Sequence, residues 1–517
     1  MDLVEREEAL RTLRERLDEA ASGGQVVLVA GEAGVGKTSV LRALTAGHEL
    51  VWWGACDALQ TPHPLAPLFD IARQAGACFA ARLDGPRLAL FEAVLDELCR
   101  VGQPILMVIE DAHWADEATL DLIKFLGRRI GRTRAMLAVS YRDDEVTATH
   151  PLRSVIGELP SSALTRVELL RLTPAGVETL AQRALRSPSG LFAATQGNPF
   201  FVTELLRHRV DELPHSVQAL VLARFARLQK PAQAIVRLAS LVPARIERWL
   251  VDALLAPSLP DLEACLDSGL MLADASTLRF RHELARVAVE SSLPPLVAQT
   301  LHAQLLHAIT ASGRSMPPAR LVHHAALAAD DVAVSRYAPI AADDARRRGA
   351  HREAAAHWRT VLHQASTTGP EERRVWLDAY ATECQITDQL AEAIAARQEL
   401  GQSLQASGKT ARQAQNLSRS ALVYVLALRN AEADAASQRA ITLVEGLAAG
   451  PERAFSYWVE AQLRMLNRDA SQSAEWSRKA IALAEEFGDR HTQVAAVGMT
   501  HSLKIFTLAL TSRVAPI

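Results

Sequence analysis

Short apolar runs alternate with helical patterns over the first 180 residues. Runs of this length without polar alternation are typical of parallel strands that are buried on both faces. A helix is predicted over 3–21, and further helical patterns separate the runs, so the pattern predicts a doubly wound α/β domain. The apolar runs are 25–30, 50–53, 105–109, 135–140 and, more weakly, 167–170.

Strand signals mostly stop after about residue 170, and beyond about residue 320 the pattern is almost purely helical. Similar segments begin at Glu353, Glu392, Glu432 and Gln472, spaced 39 or 40 residues apart. A period of about 40 residues with two helices per unit is typical of a helical solenoid. The alternative is that alanine-rich helices align through composition alone.

Composition narrows the functional classes. The 517 residues include 56 Lys and Arg against 59 Asp and Glu, a net charge of −3, which argues against a whole-surface attraction to nucleic acid or membrane. The five cysteines form no CxxC pair and are expected to be buried thiols in a reducing compartment. Neither a secretory signal nor an apolar run of about 20 residues is evident. We therefore expect a cytoplasmic protein with several domains.

A glycine-rich stretch lies between the first predicted strand and a helix that is predicted to begin near Lys37. Its glycines allow consecutive N–H groups to face phosphate oxygens, and the helix N-terminus adds a positive dipole end. In such loops the lysine reaches the β- and γ-phosphates, and the threonine hydroxyl binds Mg²⁺. We therefore predict a site for ATP or ADP with Mg²⁺. The residues are Gly31-Glu32-Ala33-Gly34-Val35-Gly36-Lys37-Thr38, which match GxxxxGK[ST], and the following Ser39.

Two carboxylates, Glu110 and Asp111, end the third predicted strand. Ligands of parallel sheets bind at the carboxyl ends of the strands. One carboxylate is expected to hold Mg²⁺ through water, and the other to orient or deprotonate the attacking water. We predict both residues as catalytic and assign the magnesium contact to Glu110, beside Thr38.

Arg142 follows the fourth predicted strand. A guanidinium at this position presents a planar fork of donors that suits a γ-phosphate oxygen. We predict Arg142 as a third catalytic residue; an exposed loop arginine is the alternative.

Four further motifs, two of which contain Glu110, Asp111 and Arg142, have an order and spacing similar to those of a known family. The chain resembles the signal-transduction ATPases with numerous domains (STAND), in the branch of large ATP-binding LuxR-type regulators with an AAA-like, Orc1-like module. The resemblance covers about residues 3–310. The motifs are Glu110-Asp111-Ala112-His113-Trp114-Ala115-Asp116, Ser140-Tyr141-Arg142-Asp143-Asp144-Glu145, Gly197-Asn198-Pro199-Phe200-Phe201, and Phe280-Arg281-His282-Glu283-Leu284 with Leu301-His302.

The resemblance implies an α/β P-loop NTPase with sheet order 5-1-4-3-2, then an all-α lid, a winged-helix-like domain and an α-solenoid of TPR-like repeats. The expected domains are 1–172 (ATPase), 173–212 (lid), 213–312 (winged-helix-like), 320–490 (repeats) and 491–517 (C-terminal helix and tail).

The resemblance also implies further nucleotide contacts. Pro199 would place lid backbone against the adenine, and His282 would correspond to a histidine that contacts the β-phosphate of ADP. Arg6 would line the adenine pocket, although the chain has Glu5 where the family usually has glycine. For His282, a core or surface histidine is the alternative, and Trp114 is expected to pack structurally.

The family usually ends in a LuxR-type helix-turn-helix, and the sequence near 491–517 lacks the basic residues that DNA phosphates require. We therefore expect no DNA-binding domain in this chain, which is either a fragment or acts without one. No membrane contact is expected.

The sequence favours an ATP-dependent switch with slow hydrolysis, self-association when ATP is bound, and an unknown ligand or protein on the repeats. Two alternatives remain: a fast AAA-type ATPase that remodels a partner, and an idle ATPase-like scaffold. The fast ATPase would need an arginine finger, for which Arg128, Arg129 and Arg132 are candidates. The scaffold would be related to the C-terminal region of soluble adenylyl cyclases. In those proteins the cyclase domains precede this module, whereas only two residues precede the first motif here, so cyclase activity is not expected.

Overall fold

The computed structural model describes residues 3–59, 61–75, 77–83, 85–100, 102–206, 217–365 and 369–498. The chain divides between Glu353 and Ala354 into two compact units. Within the described residues, no helix combines the length and the apolar character that a membrane crossing requires. Parts of the predicted lid, winged-helix-like domain and C-terminal tail, at 207–216 and 499–517, lie outside these residues, and the predicted domain bounds stay predictions.

A five-stranded parallel sheet forms the centre of the first unit. Its order is β2-β3-β4-β1-β5, which confirms the predicted order 5-1-4-3-2. Strands β1, β3 and β4 are almost fully buried, which explains their continuous apolar runs. The strands are β1 Gln25–Ala30, β2 Val51–Ala55, β3 Ile105–Glu110, β4 Ala135–Tyr141 and β5 Leu164–Glu168.

The fifth strand begins earlier than the apolar run at 167–170 predicted. Among the described strands it pairs only with β1, so it forms an edge of the sheet, and of its residues only Val167 is buried. Leu170, which the run included, is 68% exposed. An edge strand can therefore be polar, and a search for apolar runs places such a strand at the wrong residues.

Seven helices within the described residues accompany this sheet. The first is shorter than the predicted 3–21, and its Leu13 and Leu17 pack against sheet residues such as Val27 and Val29. The helices are α1 Glu7–Glu19, α2 Lys37–Thr45, α3 Ala66–Ala75, α4 Ala77–Ala80, α5 Arg87–Arg100, α6 Glu117–Gly127 and α7 Pro151–Gly157.

Glu5 explains why the first helix does not begin at residue 3. Its φ is +55°, a left-handed conformation that costs a residue with a Cβ about 1–2 kcal/mol. Its carboxylate accepts hydrogen bonds from the Thr173 backbone N–H, at 2.8 Å, and from the Thr173 hydroxyl. The backbone keeps the conformation that glycine favours, and the longer side chain supplies compensating bonds.

We expect Glu5→Ala to destabilise the first unit more than Glu5→Gly, by about 1 kcal/mol, because both lose the Thr173 bonds but only alanine keeps the left-handed strain. The measurement is thermal unfolding of the two variants, followed in the transition that nucleotide shifts. Equal melting temperatures would show that the backbone at residue 5 carries no strain.

A small sheet module, defined as residues 230–291, follows the ATPase sheet. Its three antiparallel strands are ordered β6-β8-β7 and were missed by the periodicity because each has only two to four residues. Its strands are β6 Ile246–Glu247, β7 Met271–Ala273 and β8 Thr277–Phe280.

Helices precede, surround and follow this module within the first unit. Before it lie α8 Pro174–Arg183, α9 Leu191–Thr195, α10 Pro199–Leu206 and α11 Val217–Arg227. In and after it lie α12 Lys230–Ser240, α13 Arg248–Leu255, α14 Leu259–Asp267, α15 Glu283–Ser291, α16 Pro295–Ala311, α17 Pro318–Leu327 and α18 Asp331–Arg347.

The second unit consists of helices among its described residues. Those that begin at His351, Leu390, Asn430 and Ala470 are 39 or 40 residues apart, the spacing found in the sequence. The helices are α19 His351–Gln364, α20 Pro370–Ile386, α21 Leu390–Ala406, α22 Thr410–Leu426, α23 Asn430–Glu445, α24 Pro451–Leu466 and α25 Ala470–Glu486, and residues 490–498 are also helical.

The aligned positions of these helices share one physical feature. Ala354, Ala393, Ala433 and Ser473 occupy equivalent places, and all four are fully buried. A small side chain at a helix contact allows the backbones to approach closely, so the repeat reflects packing and not composition alone. Its assignment as TPR-like stays a prediction.

Candidate nucleotide-binding site

The glycine-rich loop connects β1 to α2, as the sequence predicted. Gly34 and Gly36 have φ values of +78° and +103°, which glycine adopts without strain. A Cβ on Gly34 would lie 2.9 Å from the Phe200 Cβ, so α10 packs directly on the loop. A glycine-rich loop that leads into a helix start is a typical site for phosphate oxygens, because such loops present backbone N–H donors.

Lys37 lies at the first position of α2 and is 7% exposed. Its Nζ donates to the backbone oxygens of Gly31, at 2.6 Å, and Glu32, at 2.9 Å. Burial lowers the pKa of Lys37, while the carboxylate of Asp111 opposes that shift. The ammonium therefore rests on its own loop, where phosphate oxygens can replace the two carbonyls.

Thr38 and Glu110 are in direct contact. The Thr38 hydroxyl donates to Glu110 Oε1, and Trp53 Nε1 donates to Glu110 Oε2 at 3.1 Å. A hydroxyl and a carboxylate are the hard oxygen ligands that Mg²⁺ prefers, usually with several waters and phosphate oxygens. The donor set therefore fits the predicted magnesium contact, and that contact stays a prediction.

Asp111 lies beside Glu110 but has a different environment. Its φ is +55°, and its backbone N–H donates to the Ser140 hydroxyl at 3.1 Å. Burial, and next the charge of Glu110, raise the pKa of Asp111 to about 7. A carboxyl group with such a pKa suits proton transfer near neutral pH better than an ordinary aspartate does.

Arg142 follows β4 and is oriented by two neighbours. Its guanidinium forms an ion pair with Glu145 and lies 4.6 Å from the centre of the Trp114 ring. Trp114 therefore packs against Arg142 and also lines the cavity described next. The ion pair and the ring contact hold the guanidinium in place, unlike that of an unconstrained loop arginine.

One cavity of about 690 Å³ brings most of the predicted residues together. This volume lies in the range that holds small ligands and cofactors. Gly31, Glu32 and Ala33 do not line it, and the Glu32 carboxylate bonds instead with Arg171, at 2.6 Å, and Asn198, at 2.9 Å. The predicted residues that line it are Arg6, Gly34, Val35, Gly36, Lys37, Thr38, Ser39, Glu110, Asp111, Arg142, Pro199 and His282.

Three residues that the resemblance implied reach the cavity from separate segments. The Arg6 guanidinium donates to the backbone oxygens of Val35, at 3.2 Å, and Leu170, at 2.7 Å, so it also braces the loop. Pro199 begins α10, and the His282 ring centre lies 4.1 Å from that of Phe200. Their contacts with adenine and β-phosphate stay predictions.

The sequence interpretation missed several residues that shape this site. Asp57, Arg245 and Arg279 line the cavity, and Trp53 holds Glu110. Asn198 donates to the Ala33 backbone oxygen at 2.9 Å and so ties α10 to the loop. Only Asn198 had a usable signal, as the central residue of Gly-Asn-Pro, because the others come from segments that meet only in the folded unit.

Comparison with known proteins agrees with this geometry. Residues 2–139 match the family described as AAA ATPase domain. The first unit therefore carries an AAA-type P-loop ATPase domain, a fold whose members bind a nucleotide and usually Mg²⁺.

Longer similarities are weaker. An uncharacterised protein of Rhizobium meliloti (strain 1021) is 24% identical in an alignment of 393 positions, which covers 59% of this chain and 37% of that protein. The chain thus spans little more than a third of the curated relative it matches.

Among solved structures, a STAND protein with a tetratricopeptide repeat sensor from Pyrococcus horikoshii covers 94% of this chain. It has 14% identity and a TM-score of 0.46, and 85% of its own length is covered. The Aeropyrum pernix Orc1 protein in complex with DNA covers 58% of this chain and 95% of its own, with 19% identity and a TM-score of 0.34. At TM-scores below 0.5 these likenesses add nothing to what the strand order and the loop establish.

Proposed function

We propose that the chain is an ATP- and Mg²⁺-dependent signalling switch of the STAND class, in which bound nucleotide governs the closure of the small sheet module over the ATPase sheet. One observation carries the proposal. The 690 Å³ cavity has walls from both parts: Lys37, Glu110 and Arg142 on one side, and Phe280 and His282 on the other. A nucleotide enclosed there contacts the two parts together.

The diphosphate and triphosphate forms must differ in their effect for such a switch to respond. A shift from 1:99 to 99:1 needs a difference of about 5.5 kcal/mol between the two states. Hydrogen bonds to charged groups contribute about 1.5–3 kcal/mol each, so γ-phosphate contacts with Lys37, Arg142 and Mg²⁺ are sufficient in principle. In this proposal, these γ-phosphate contacts distinguish ATP from ADP.

An ion pair also lines the same cavity. Arg245, just before β6, forms an ion pair with Asp70 on α3. Asp57 lines the cavity nearby, and burial, followed by the charge of Asp70, raises the pKa of Asp57 to about 6. Arg245 therefore balances two carboxyl groups of the ATPase sheet region from the small sheet module.

We expect Arg245→Asp to speed ADP release about 2- to 5-fold, because a partly exposed ion pair is worth about 1 kcal/mol or less and the new carboxylate repels Asp70 and Asp57. Stopped-flow displacement of a fluorescent ADP analogue gives the rate. The charge-swapped double variant Arg245→Asp, Asp70→Arg should recover much of the original rate. Faster release in the double variant than in Arg245→Asp would contradict a role of this pair in closure.

Closure of the small sheet module would control ATP hydrolysis and self-association. Slow hydrolysis of ATP would reset the switch, and the ATP-bound form would self-associate in the cytoplasm. The helices of the second unit, with small residues buried at equivalent positions, suit TPR-like repeats that bind a ligand or a protein partner. A role in transcriptional regulation follows only from the LuxR-type resemblance, and the small sheet module is the candidate for the winged-helix-like domain.

A further inference from the structure

Three histidine side chains meet on two consecutive helices of the first unit, outside the nucleotide cavity. His302 lies on α16, and His323 and His324 lie on α17. One ring nitrogen from each lies within 4.8 Å of the other two, and the ring centres are 5.2–5.6 Å apart. Three imidazoles at this separation can direct their nitrogens to one common point.

Some of the buried ring nitrogens in this cluster have no hydrogen-bond partner among the described residues. His302 and His324 are 3% and 0% exposed, and their Nδ1 atoms lie 3.0 Å apart. The Nε2 atoms of His323 and His324 are buried and have no hydrogen-bond partner among the described residues. Since a buried polar atom without a partner is costly, this arrangement needs an explanation.

The protonation state is the one that a metal ion requires. Burial lowers the pKa of His302 and of His323 to about 4, and it lowers the pKa of His324 well below its usual range. All three rings are therefore neutral near pH 7, and each has one nitrogen with a lone pair. Coordination through both Nδ1 atoms of His302 and His324 requires the proton of their hydrogen bond to move to an Nε2 atom.

We propose that His302, His323 and His324 form a binding site for a transition-metal ion of the Zn²⁺ type. Tetrahedral zinc with Zn–N bonds of about 2.0–2.1 Å keeps its ligand nitrogens roughly 3.3 Å apart. The His302–His324 separation is already close to this value, and the third nitrogen, from His323, lies within 4.8 Å of the other two. Three histidines with water as the fourth ligand form a known type of zinc site, and imidazole suits zinc better than it suits magnesium.

The charged groups around the cluster are compatible with a cation. Arg286 and Arg320 are near enough to lower the pKa of His323. Each is paired with carboxylates: Arg286 with Glu283 and Glu290 at 2.7–2.8 Å, and Arg320 with Glu247 at 2.7 Å. Their positive charge is therefore largely balanced.

The position of the cluster gives the metal a structural consequence. A bound ion would join α16 to α17, and the Arg320–Glu247 pair connects α17 to β6 of the small sheet module. Metal would thus rigidify the helices that follow the module, independently of the nucleotide.

The test is a zinc titration of the purified full chain without an affinity tag, in competition with a chromogenic chelator. Mg²⁺ and ADP are present so that the phosphate-binding loop is filled. We expect one tightly bound equivalent, and a loss of affinity of at least about 100-fold in His323→Gln, since even outer-shell changes cost 10- to 100-fold. His307→Gln, which alters an exposed histidine of the same α16, should bind as the original chain does.

Cobalt provides a second measurement. Co²⁺ in the three-histidine site should give the strong visible absorption of a tetrahedral complex, and His302→Gln should remove it. Circular dichroism checks that the variants are folded, and His323, the least buried of the three, is the substitution most easily accommodated. Absence of zinc binding in the original chain, or a tight equivalent that survives in folded His323→Gln, would show that the cluster is only a hydrogen-bonded structural contact.

Discussion

Lys37→Met is expected to weaken binding of Mg²⁺-ATP by roughly 10²- to 10⁴-fold. The Nζ atom now donates to two backbone oxygens of its own loop, and on binding these bonds pass to phosphate oxygens. Two hydrogen bonds to a charged group are worth about 3–6 kcal/mol together, and each 1.4 kcal/mol is a factor of ten in affinity. Methionine keeps the length and most of the volume of the side chain, so the loss reports the charge and not a cavity.

Isothermal titration calorimetry with a non-hydrolysable ATP analogue measures this effect. Lys124→Met is the matched control. Lys124 lies on α6, does not line the cavity, and forms a partly exposed ion pair with Glu158. It should bind nucleotide as the original chain does. Unchanged affinity in Lys37→Met would mean that nucleotide does not occupy the loop.

Asp111→Asn is expected to lower the ATP hydrolysis rate by about 10²- to 10⁴-fold, the usual contribution of a general base. Asp111 is placed by its backbone bond to Ser140 and lies in the same cavity as Lys37 and Glu110. The amide is nearly isosteric but cannot accept the proton of the attacking water. Affinity for ADP should change less than about 3-fold, because this role concerns the reaction and not ground-state binding.

Single-turnover phosphate release gives the rate, and Asp144→Asn, an exposed carboxylate in the loop after β4, is the control. Equal loss in both variants would point to general electrostatics and remove the specific role of Asp111. The steady-state rate of the original chain also distinguishes the alternatives. Rapid sustained turnover would favour a partner-remodelling ATPase, and no turnover together with no nucleotide-dependent change would favour a scaffold.

The parallel sheet was predictable because burial on both faces leaves a local signature. Strands β1, β3 and β4 consist mostly of apolar residues, and the loop motif fixed the place of β1. The edge strand β5 and the short strands of the small sheet module have no such signature. Their residues are held by neighbours that are distant in sequence, so periodicity misplaced the first and missed the others.

The residues of the site that belong to local motifs were predictable from the sequence, and the opposite wall of the cavity was not. The loop, Glu110, Asp111 and Arg142 are recognisable because each follows a strand at the same sheet edge. The opposite wall, with Arg245 and Arg279, depends on how the small sheet module folds back. On that wall the resemblance assigned a nucleotide contact only to His282.

Glu5 shows how a local rule can mislead. It stands where the family usually has glycine, yet the backbone keeps φ at +55°. The compensation comes from Thr173, 168 residues away, which no local pattern reveals.

The most direct test of the switch is the mass of the purified chain in solution, measured by multi-angle light scattering with ADP and then with Mg²⁺ and a non-hydrolysable ATP analogue. The proposal predicts a larger particle only with the triphosphate analogue, and no such particle in Lys37→Met. The same monomer mass in both states, at concentrations where calorimetry proves that each nucleotide is bound, would contradict nucleotide-controlled assembly.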